Sequence, residues 1–509
     1  MTCELRVYST SSYCRMENII LTLLLVLTSI LSAVGTNPGI VIRVNNQGLA
    51  YVDSVAIQVL VNKLKTTTIK DYSGETSTPL GDFEYDLTNL HNTGASIAKS
   101  SFKTVPGVGL DLSASGVYVA FTGNWHYRKT HWPHVSDSGT FDMSASDISF
   151  SLTAKIGTEK GRPSITTASC SDNVGDLNIK FHGGASWLYN LFRSKIADSI
   201  KSQLNNLICE EATKAINEDA EKELATFPVR KKLDKYALID YSFIEPPLFE
   251  ENYMDVRLKG ELMSATHPTE SGLTPPVIPA NQTCTKMICL YITDYVLNTA
   301  GQVYYKENFF NATVNASQVP PSFKYQLNTN LLKLLGLSKV YAEYPDRPLF
   351  LHLYCTKPPS MNTQPTGINF AITGNVEVYV FTKENKLVFL FSLVADLTGS
   401  GAARVNGTIL QGSVSKFSVT FAVLKSAVGD IKPNIGLMNI LLHVLAENTI
   451  IKELNEKGKK GIPLPVLDNV QLEDADIYFG KNFFSFDTDL KYTGPLKVPN
   501  KIKKIPILA

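Results

Sequence analysis

Across residues 187–224 the apolar positions Trp187, Leu188, Leu191, Phe192, Ile196, Ile200, Leu204, Leu207 and Ile208 recur at steps of three and four. Arg193, Lys195, Asp198, Lys201, Gln203 and Asn205 lie between them. One greasy face and one solvated face predict an amphipathic helix, and Pro228 stops it. At about 1.5 Å per residue it is roughly 55 Å long, well beyond the average globular helix. A helix that long with a single apolar stripe needs a long apolar partner. The preceding chain supplies one, because from residue 83 to 179 the period changes to two. Val108, Leu110, Leu112 and Ala114 alternate with Gly109, Asp111 and Ser113, and Val117, Val119 and Phe121 continue the pattern. So do Ile148, Phe150, Leu152, Ala154 and Ile156. Turn residues at Gly116, Gly123-Asn124, 136–139 and 161–163 predict an antiparallel meander that bends over a helix.

Ahead of the meander, Ile40, Ile42 and Val44 alternate, and Leu49, Val52, Val55, Ala56, Val59, Leu60 and Leu64 then take helical spacing to Lys65. Behind the long helix, Pro246-Pro247 marks an irregular crossing strand. Residues 267–281, with Pro268, Pro275, Pro276 and Pro279, predict a stiff exposed linker. Beyond it the grammar repeats. A short helix is predicted at 291–304, with Tyr295, Val296 and Ala300 inward. Strands follow at 324–327, 349–354, 376–381, 387–394 and 416–424, and an amphipathic helix at 435–454. Helix, meander, helix on either side of a proline linker predicts an α+β chain of two similar modules arising by duplication. The divisions are a leader over 1–35, a first module over 36–263, a linker over 264–283, a second module over 284–493 and a basic tail over 494–509.

The length of 509 residues accommodates two to four domains. A net charge of +1 gives no bias towards nucleic acid, so any basic function has to be local. The apolar run 19–31, followed by Ala33-Val34-Gly35, has the length and small-x-small ending of a secretory signal. Its start would be Met16, with 1–15 an upstream extension, and the mature chain would begin near Thr36 or Asn37. The run is short for a bilayer core of about 30 Å, and no later segment reads as long and apolar enough to span. The expected location is extracellular. Cys170, Cys209, Cys284, Cys289 and Cys355 remain after cleavage, an odd number. Glycosylation sequons at Asn281, Asn311, Asn315 and Asn406 agree with export.

Several short motifs then fall in a familiar order: Asn37-Pro38-Gly39, Gly48-Leu49-Ala50-Tyr51, Asp71-Tyr72-Ser73, Phe141-Asp142-Met143-Ser144 and the Cys170/Cys209 spacing. Pro246-Pro247, Leu258-Lys259-Gly260-Glu261, Asn298-Thr299-Ala300-Gly301, Gln364-Pro365-Thr366-Gly367 and Gly461-Ile462-Pro463-Leu464-Pro465 continue it. Together, from about Asn37 to Tyr492, the chain resembles the bactericidal/permeability-increasing and lipopolysaccharide-binding proteins. The resemblance implies an elongated boomerang of two barrels, each a twisted antiparallel sheet wrapped on a long helix, joined by a central sheet. It implies one apolar pocket per barrel for the acyl chains of a phospholipid, held as a structural ligand with no other cofactor. It also implies a disulfide between Cys170 and Cys209. For Cys284 and Cys289 two arrangements stay open: one of them pairs with Cys355, or none of the three pairs.

In the family, cations clustered at the tip of the first barrel meet the phosphates of lipid A. Here residues 74–82 carry no basic residue, and Glu84 and Asp86 follow. Arg128 and Lys129 in the hairpin 125–134 match the second tip loop, and Lys160 and Arg162 are assigned to a third. Trp125 and Trp132 would add an interfacial membrane contact, strengthened at low pH by His126, His131 and His134. Those histidines match no metal-binding spacing, so no metal is expected. No nucleophile elbow, H-E-x-x-H, C-x-x-C or phosphate loop points to catalysis, and a secreted esterase is a remote alternative. The resemblance therefore predicts a monomeric, non-enzymatic, secreted protein that binds phospholipid, lipopolysaccharide and the bacterial outer-membrane surface in innate defence, with no nucleic-acid partner. Its alternative is a phospholipid transfer protein without lipopolysaccharide recognition. In the tail, Lys497, Lys501, Lys503 and Lys504 interleave with Val498, Ile502, Ile505 and Ile507 while prolines oppose a helix; it reads as a disordered end, with a weak anionic-membrane contact as the alternative.

Overall fold

Why the chain changes from period two to period 3.6 becomes visible in the computed structural model, which describes residues 37–66, 71–184, 193–226, 229–315, 317, 327–466 and 469–494. The leader, residues 187–192 of the long helix, the strand expected at 324–326 and the tail 497–509 lie outside the described residues. Strand β1 (Ile40–Asn45) runs directly into helix α1 (Asn46–Thr66). The Asn45 side chain caps the helix by accepting from the amides of Gln47 and Gly48, at 2.9 and 3.2 Å. Gly48 is required there, because a Cβ would stand 2.6 Å from the Met287 carbonyl.

The first curled sheet contains β2 (Tyr72–Thr78), β3 (Gly81–Val105), β4 (Gly109–Lys129), β5 (Ser136–Glu159), β6 (Arg162–Asn173) and β7 (Asp176–His182). They pair antiparallel in the order β2-β3-β4-β5-β6, and β7 joins the opposite half of β5 from β6. Register shifts at Thr88/His91, Asn92/Gly94 and Ala114/Val117 bend these strands, which are too long to stay flat. Helix α2 runs over Arg193–Lys214, passes through a π turn at Ala215–Ala220 and ends with Glu221–Ala225. It lies inside the curl: Ile200 packs with Phe83, Tyr85, Leu87, Trp125 and Phe141, and Ile208 packs further along with Ala114, Val117 and Ile148. Cys170 of β6 and Cys209 of α2 are bonded, with Cα atoms 5.6 Å apart.

Between the modules come β8 (Arg230–Lys232), β9 (Ala237–Asp240), β10 (Leu248–Phe249), β11 (Tyr253–Leu258) and β12 (Glu261–Ser264). The proline segment beyond β12 has no regular structure and is mostly exposed. Strand β13 (Ile288–Thr293) then precedes α3 (Asp294–Lys306), so the helix expected from residue 291 starts three residues later. The reason is burial: Cys289 to Thr293 are covered on both faces, and a continuous apolar run carries no period that separates strand from helix.

The second module continues with β14 (Asn311–Asn315), two short helices α4 (Thr329–Leu334) and α5 (Ser338–Glu343), and strands β15 (Leu349–Cys355), β16 (Ser360–Gln364), β17 (Gly367–Phe381), β18 (Leu387–Asn406) and β19 (Ile409–Ser426). Helix α6 (Ile435–Lys460) is capped by Asn434, and a π turn interrupts it at Glu447–Ile451. It extends beyond the expected 435–454, and by length and composition alone it is long and apolar enough to cross a membrane, which corrects the expectation that no such segment exists. One face nevertheless packs into the module, through Met438, Leu441, Leu442 and Leu445. Strands β20 (Ile462–Pro463), β21 (Val470–Phe479) and β22 (Phe483–Tyr492) end the described chain. The central sheet, in the order β10-β11-β1-β13-β22-β21, draws strands from both halves. Arg43 and Asp255 pair across its neighbours β1 and β11 at 2.8 Å, with the guanidinium 3.9 Å from the Tyr253 ring.

Candidate functional site

Two places in the fold combine apolar surface with charge. The first is a cavity of about 260 Å³ where the second module meets the central sheet. Its walls are Leu297, Ala300 and Tyr304 of α3, Met361, Ile368 and Phe370 of β16 and β17, Ala403, Leu410 and Val414 of β18 and β19, Leu454 of α6 and Phe484 of β22. The distal part of the same module is packed solid by Leu331, Leu335, Leu351, Val378, Phe391, Leu393 and Leu441. The module therefore has a dry core at one end and an open apolar chamber at the other. In the first module, the side chains of Ile196, Leu204 and Leu207 of α2 lie outside the described residues.

Gln411, Ser413 and Lys460 border the chamber, and Asp234, Tyr304 and Lys457 form a cluster in its wall. The Lys457 ammonium of α6 donates to the Asp234 carboxylate in the β8–β9 turn, and the Tyr304 hydroxyl donates to the same carboxylate at 2.9 Å. The amides of Tyr236 and Ala237 donate to its other oxygen at 2.7 and 2.9 Å. The Lys457 nitrogen lies 5.4, 5.2 and 5.2 Å from the ring centroids of Tyr236, Tyr304 and Phe309. Burial acts to raise the Asp234 pKa, but the donated hydrogen bonds outweigh it and hold the carboxyl below its ordinary value. Burial, followed by the neighbouring Asp234 charge, pushes the Tyr304 hydroxyl well up. The polar side chains of this cluster are thus occupied by other parts of the chain, and most of the remaining wall offers apolar contact.

The second place is the end of the first sheet, formed by the β2–β3 turn and the β4–β5 hairpin. Thr130 ties them together, donating its amide to the Asp82 carbonyl at 2.9 Å. Trp132 stands 85% exposed in the hairpin, with Leu80 and Val135 exposed beside it on the two turns. The sequence drew attention to Trp132 alone, since an isolated Leu or Val in a turn carries no periodic signal. Trp125 is a correction. It is only 2% exposed, stacks against Tyr127 and donates its indole N–H to the His182 carbonyl at 3.2 Å. Strand alternation puts Trp125 and Tyr127 inward and His126 and Arg128 outward.

The outward side chains face acids. Arg128 pairs with Glu84 at 2.6 Å and His126 with Asp86 at 3.5 Å. Lys129 lies over Gly81, and His131 and His134 are exposed in the same hairpin. Lys160 and Arg162 are not at this end, which corrects their assignment to a third tip loop. Strand β5 begins opposite Arg128 and ends opposite Arg162, so its 24 residues carry the β5–β6 turn to the far end of the sheet. There the Gly161 carbonyl accepts from the Phe243 amide at 2.8 Å. The chain comes back towards the tip through β7, where His182 pairs with Thr140 and Gly183-Gly184 follow.

The remaining cysteines also depart from expectation. Cys284 and Cys289 bond to each other across five residues, with Cα atoms 5.7 Å apart, because the chain doubles back on entering β13. Cys355 is unpaired and half-buried at the end of β15, and burial raises its thiol to about 11. The side chains of Asn281, Asn311, Asn315 and Asn406 are exposed. Among the described residues no group of three or more His, Cys, Asp or Glu is placed to hold a metal ion.

Comparison with known proteins decides the family. The N-terminal domain model of the LBP / BPI / CETP family matches residues 48–218, and its C-terminal domain model matches residues 231–492. The chain belongs to the LBP / BPI / CETP family. Lipopolysaccharide-binding protein of Homo sapiens is 30% identical over 474 residues, covering 92% of this chain and 97% of that protein. Bactericidal permeability-increasing protein of Sebastes schlegelii is 28% identical over 460 residues, covering 90% and 96%. The crystal structure of lipopolysaccharide binding protein matches with a TM-score of 0.61 at 26% identity, over 90% of this chain and all of that one. The two curled antiparallel sheets, each with its long helix, joined by a central sheet, are the two-barrel fold of the LBP / BPI / CETP family.

Proposed function

We propose that this protein is a secreted, monomeric lipid-binding protein of innate defence. It houses phospholipid acyl chains in the chamber of the second module and meets lipopolysaccharide at the tip of the first. The chamber carries this reading: its walls are mainly aliphatic and aromatic, the Asp234, Tyr304 and Lys457 groups in them are partnered with one another, and each buried methylene contributes about 0.8 kcal/mol. At the tip, Trp132, Leu80 and Val135 supply apolar contact for acyl chains, and Lys129 and Arg128 supply positive charge for the lipid A phosphates. Asn281, Asn311, Asn315 and Asn406 are the expected glycan carriers, and exposure of all four supports that.

A second reading, lipid transfer without lipopolysaccharide recognition, is favoured by one observation. Arg128 is committed to Glu84, and the β2–β3 turn brings no cation of its own. The two separate by measuring lipopolysaccharide affinity at two salt concentrations for wild type and an Arg128→Ala, Lys129→Ala, Trp132→Ala variant. A recognition protein binds tightly, weakens with salt and loses affinity in the variant. Wild-type affinity that is absent, or unchanged in the variant, assigns the protein to transfer instead.

A further inference from the structure

Helix α6 begins with twelve residues, Ile435–Ala446, that include no Asp, Glu, Lys or Arg. Its inner face is buried, yet two isoleucines flank its outer face: Ile435 is 69% and Ile440 is 53% exposed, with Gly436, Asn439 and His443 between them. A surface helix normally turns charged residues outward, and this stretch turns none. The patch extends beyond the helix. Asn434 donates its amide to the Leu335 carbonyl at 2.8 Å, which brings Leu334, 52% exposed, next to the helix start. Along the other flank, His443 stacks on Phe417 of β19 with ring centroids 4.2 Å apart, and Val423 and the 57% exposed Leu424 lie near the end of that strand.

Lysines fringe this patch. Lys432 precedes the helix with its side chain 87% exposed, Lys333 adjoins Leu334, and Lys425 adjoins Leu424. Asp430 lies 3.7 Å from Lys432, and both side chains stand in solvent. The exposed apolar residues are all aliphatic, with no Trp, Tyr, Met or Arg among them, which is unlike the core of a protein–protein interface. A helix ridge is also convex, which makes it a poor receptor for a peptide. Aliphatic side chains on a convex ridge with flexible lysines around it match the acyl–headgroup boundary of a negatively charged membrane.

We infer that the outer face of α6, with Leu334 and Leu424 beside it, is a second lipid contact that docks the C-terminal module onto an anionic bilayer. Ile435 and Ile440 insert among the acyl chains while Lys333, Lys425 and Lys432 reach lipid phosphates. This contact is independent of the N-terminal tip and of any lipid in the chamber.

The test uses the full secreted chain and vesicles of phosphatidylglycerol with phosphatidylcholine, or of phosphatidylcholine alone. Binding is measured by flotation for wild type, an Ile435→Asp, Ile440→Asp variant, and a Lys129→Ala, Trp132→Ala tip variant. The α6 variant is expected to lose binding to anionic vesicles by about tenfold or more, since a charge replaces each inserted side chain. A second measurement covers the case in which that variant fails to fold. With Ile440→Cys in a Cys355→Ala background, an environment-sensitive dye on residue 440 shifts to the blue on anionic vesicles, in the tip variant as well. No dye shift on vesicles that float the protein overturns the inference. So does self-association in ultracentrifugation that the α6 substitutions abolish without changing flotation, which would make the occupant a second copy of the chain.

Discussion

Lys457 and Asp234, from the last long helix and the β8–β9 turn, form an ion pair in the wall of the apolar chamber, enclosed by the rings of Tyr236, Tyr304 and Phe309. The pair joins segments 223 residues apart in sequence and closes one corner of the chamber. Replacing Lys457 with Met leaves a half-buried carboxylate with neutral donors only. We expect a loss of about 1–3 kcal/mol at pH 7, measured by chemical denaturation.

The pH dependence of that loss follows from the direction of the Asp234 shift. Its pKa in the folded protein lies below the ordinary carboxyl value, so the stabilisation is fully present above that value and disappears as pH falls through the folded one. The stability gap between wild type and Lys457→Met should stay constant from pH 7 down to about 4 and narrow below it. A gap that widens on acidification would contradict the assignment.

Trp125 and Trp132 should behave as opposites. Trp125→Ala removes a 2% exposed indole from the first barrel and should cost about 3–5 kcal/mol. Trp132→Ala should leave the thermal midpoint unchanged and weaken lipid binding. Denaturation curves alongside a vesicle-binding assay distinguish the two.

This pair also shows how far the residues alone can be read. The helices α1 and α2 were legible because each shows one face to a core and the other to water. The strands of the first meander were legible for the same reason. Tyr291 and Ile292 misled because both faces of β13 are covered, which erases the period. Trp125 and Trp132 are seven residues apart with a turn between them, and their composition looks alike; only the register of β4 against β3, Leu87 opposite Trp125, turns one inward. Lys160 and Arg162 were misplaced because the direction of β5 is a property of the topology, and nothing local to that turn records which end of the sheet it occupies. The chamber was invisible in the residues themselves and came only with the family resemblance, since a wall residue such as Ala403 reads as core whether or not an atom lies opposite it.

The Cys170–Cys209 bond closes a loop of 39 residues between sheet and helix and should contribute about 4 kcal/mol through the unfolded chain. Cys170→Ala and Cys209→Ala should each reduce the secreted yield, and the double variant should match either single one. Pulse-chase secretion of the three variants checks this, and additive defects would mean that each cysteine acts separately.

The chamber itself is tested most directly by native mass spectrometry of the secreted protein, together with an Ala403→Phe variant whose ring projects into the space between α3 and β19. We predict that the wild type carries extra mass that organic extraction releases as diacyl phospholipid, and that the variant folds normally but carries less of it. A wild-type protein that yields no lipid on extraction would contradict the account.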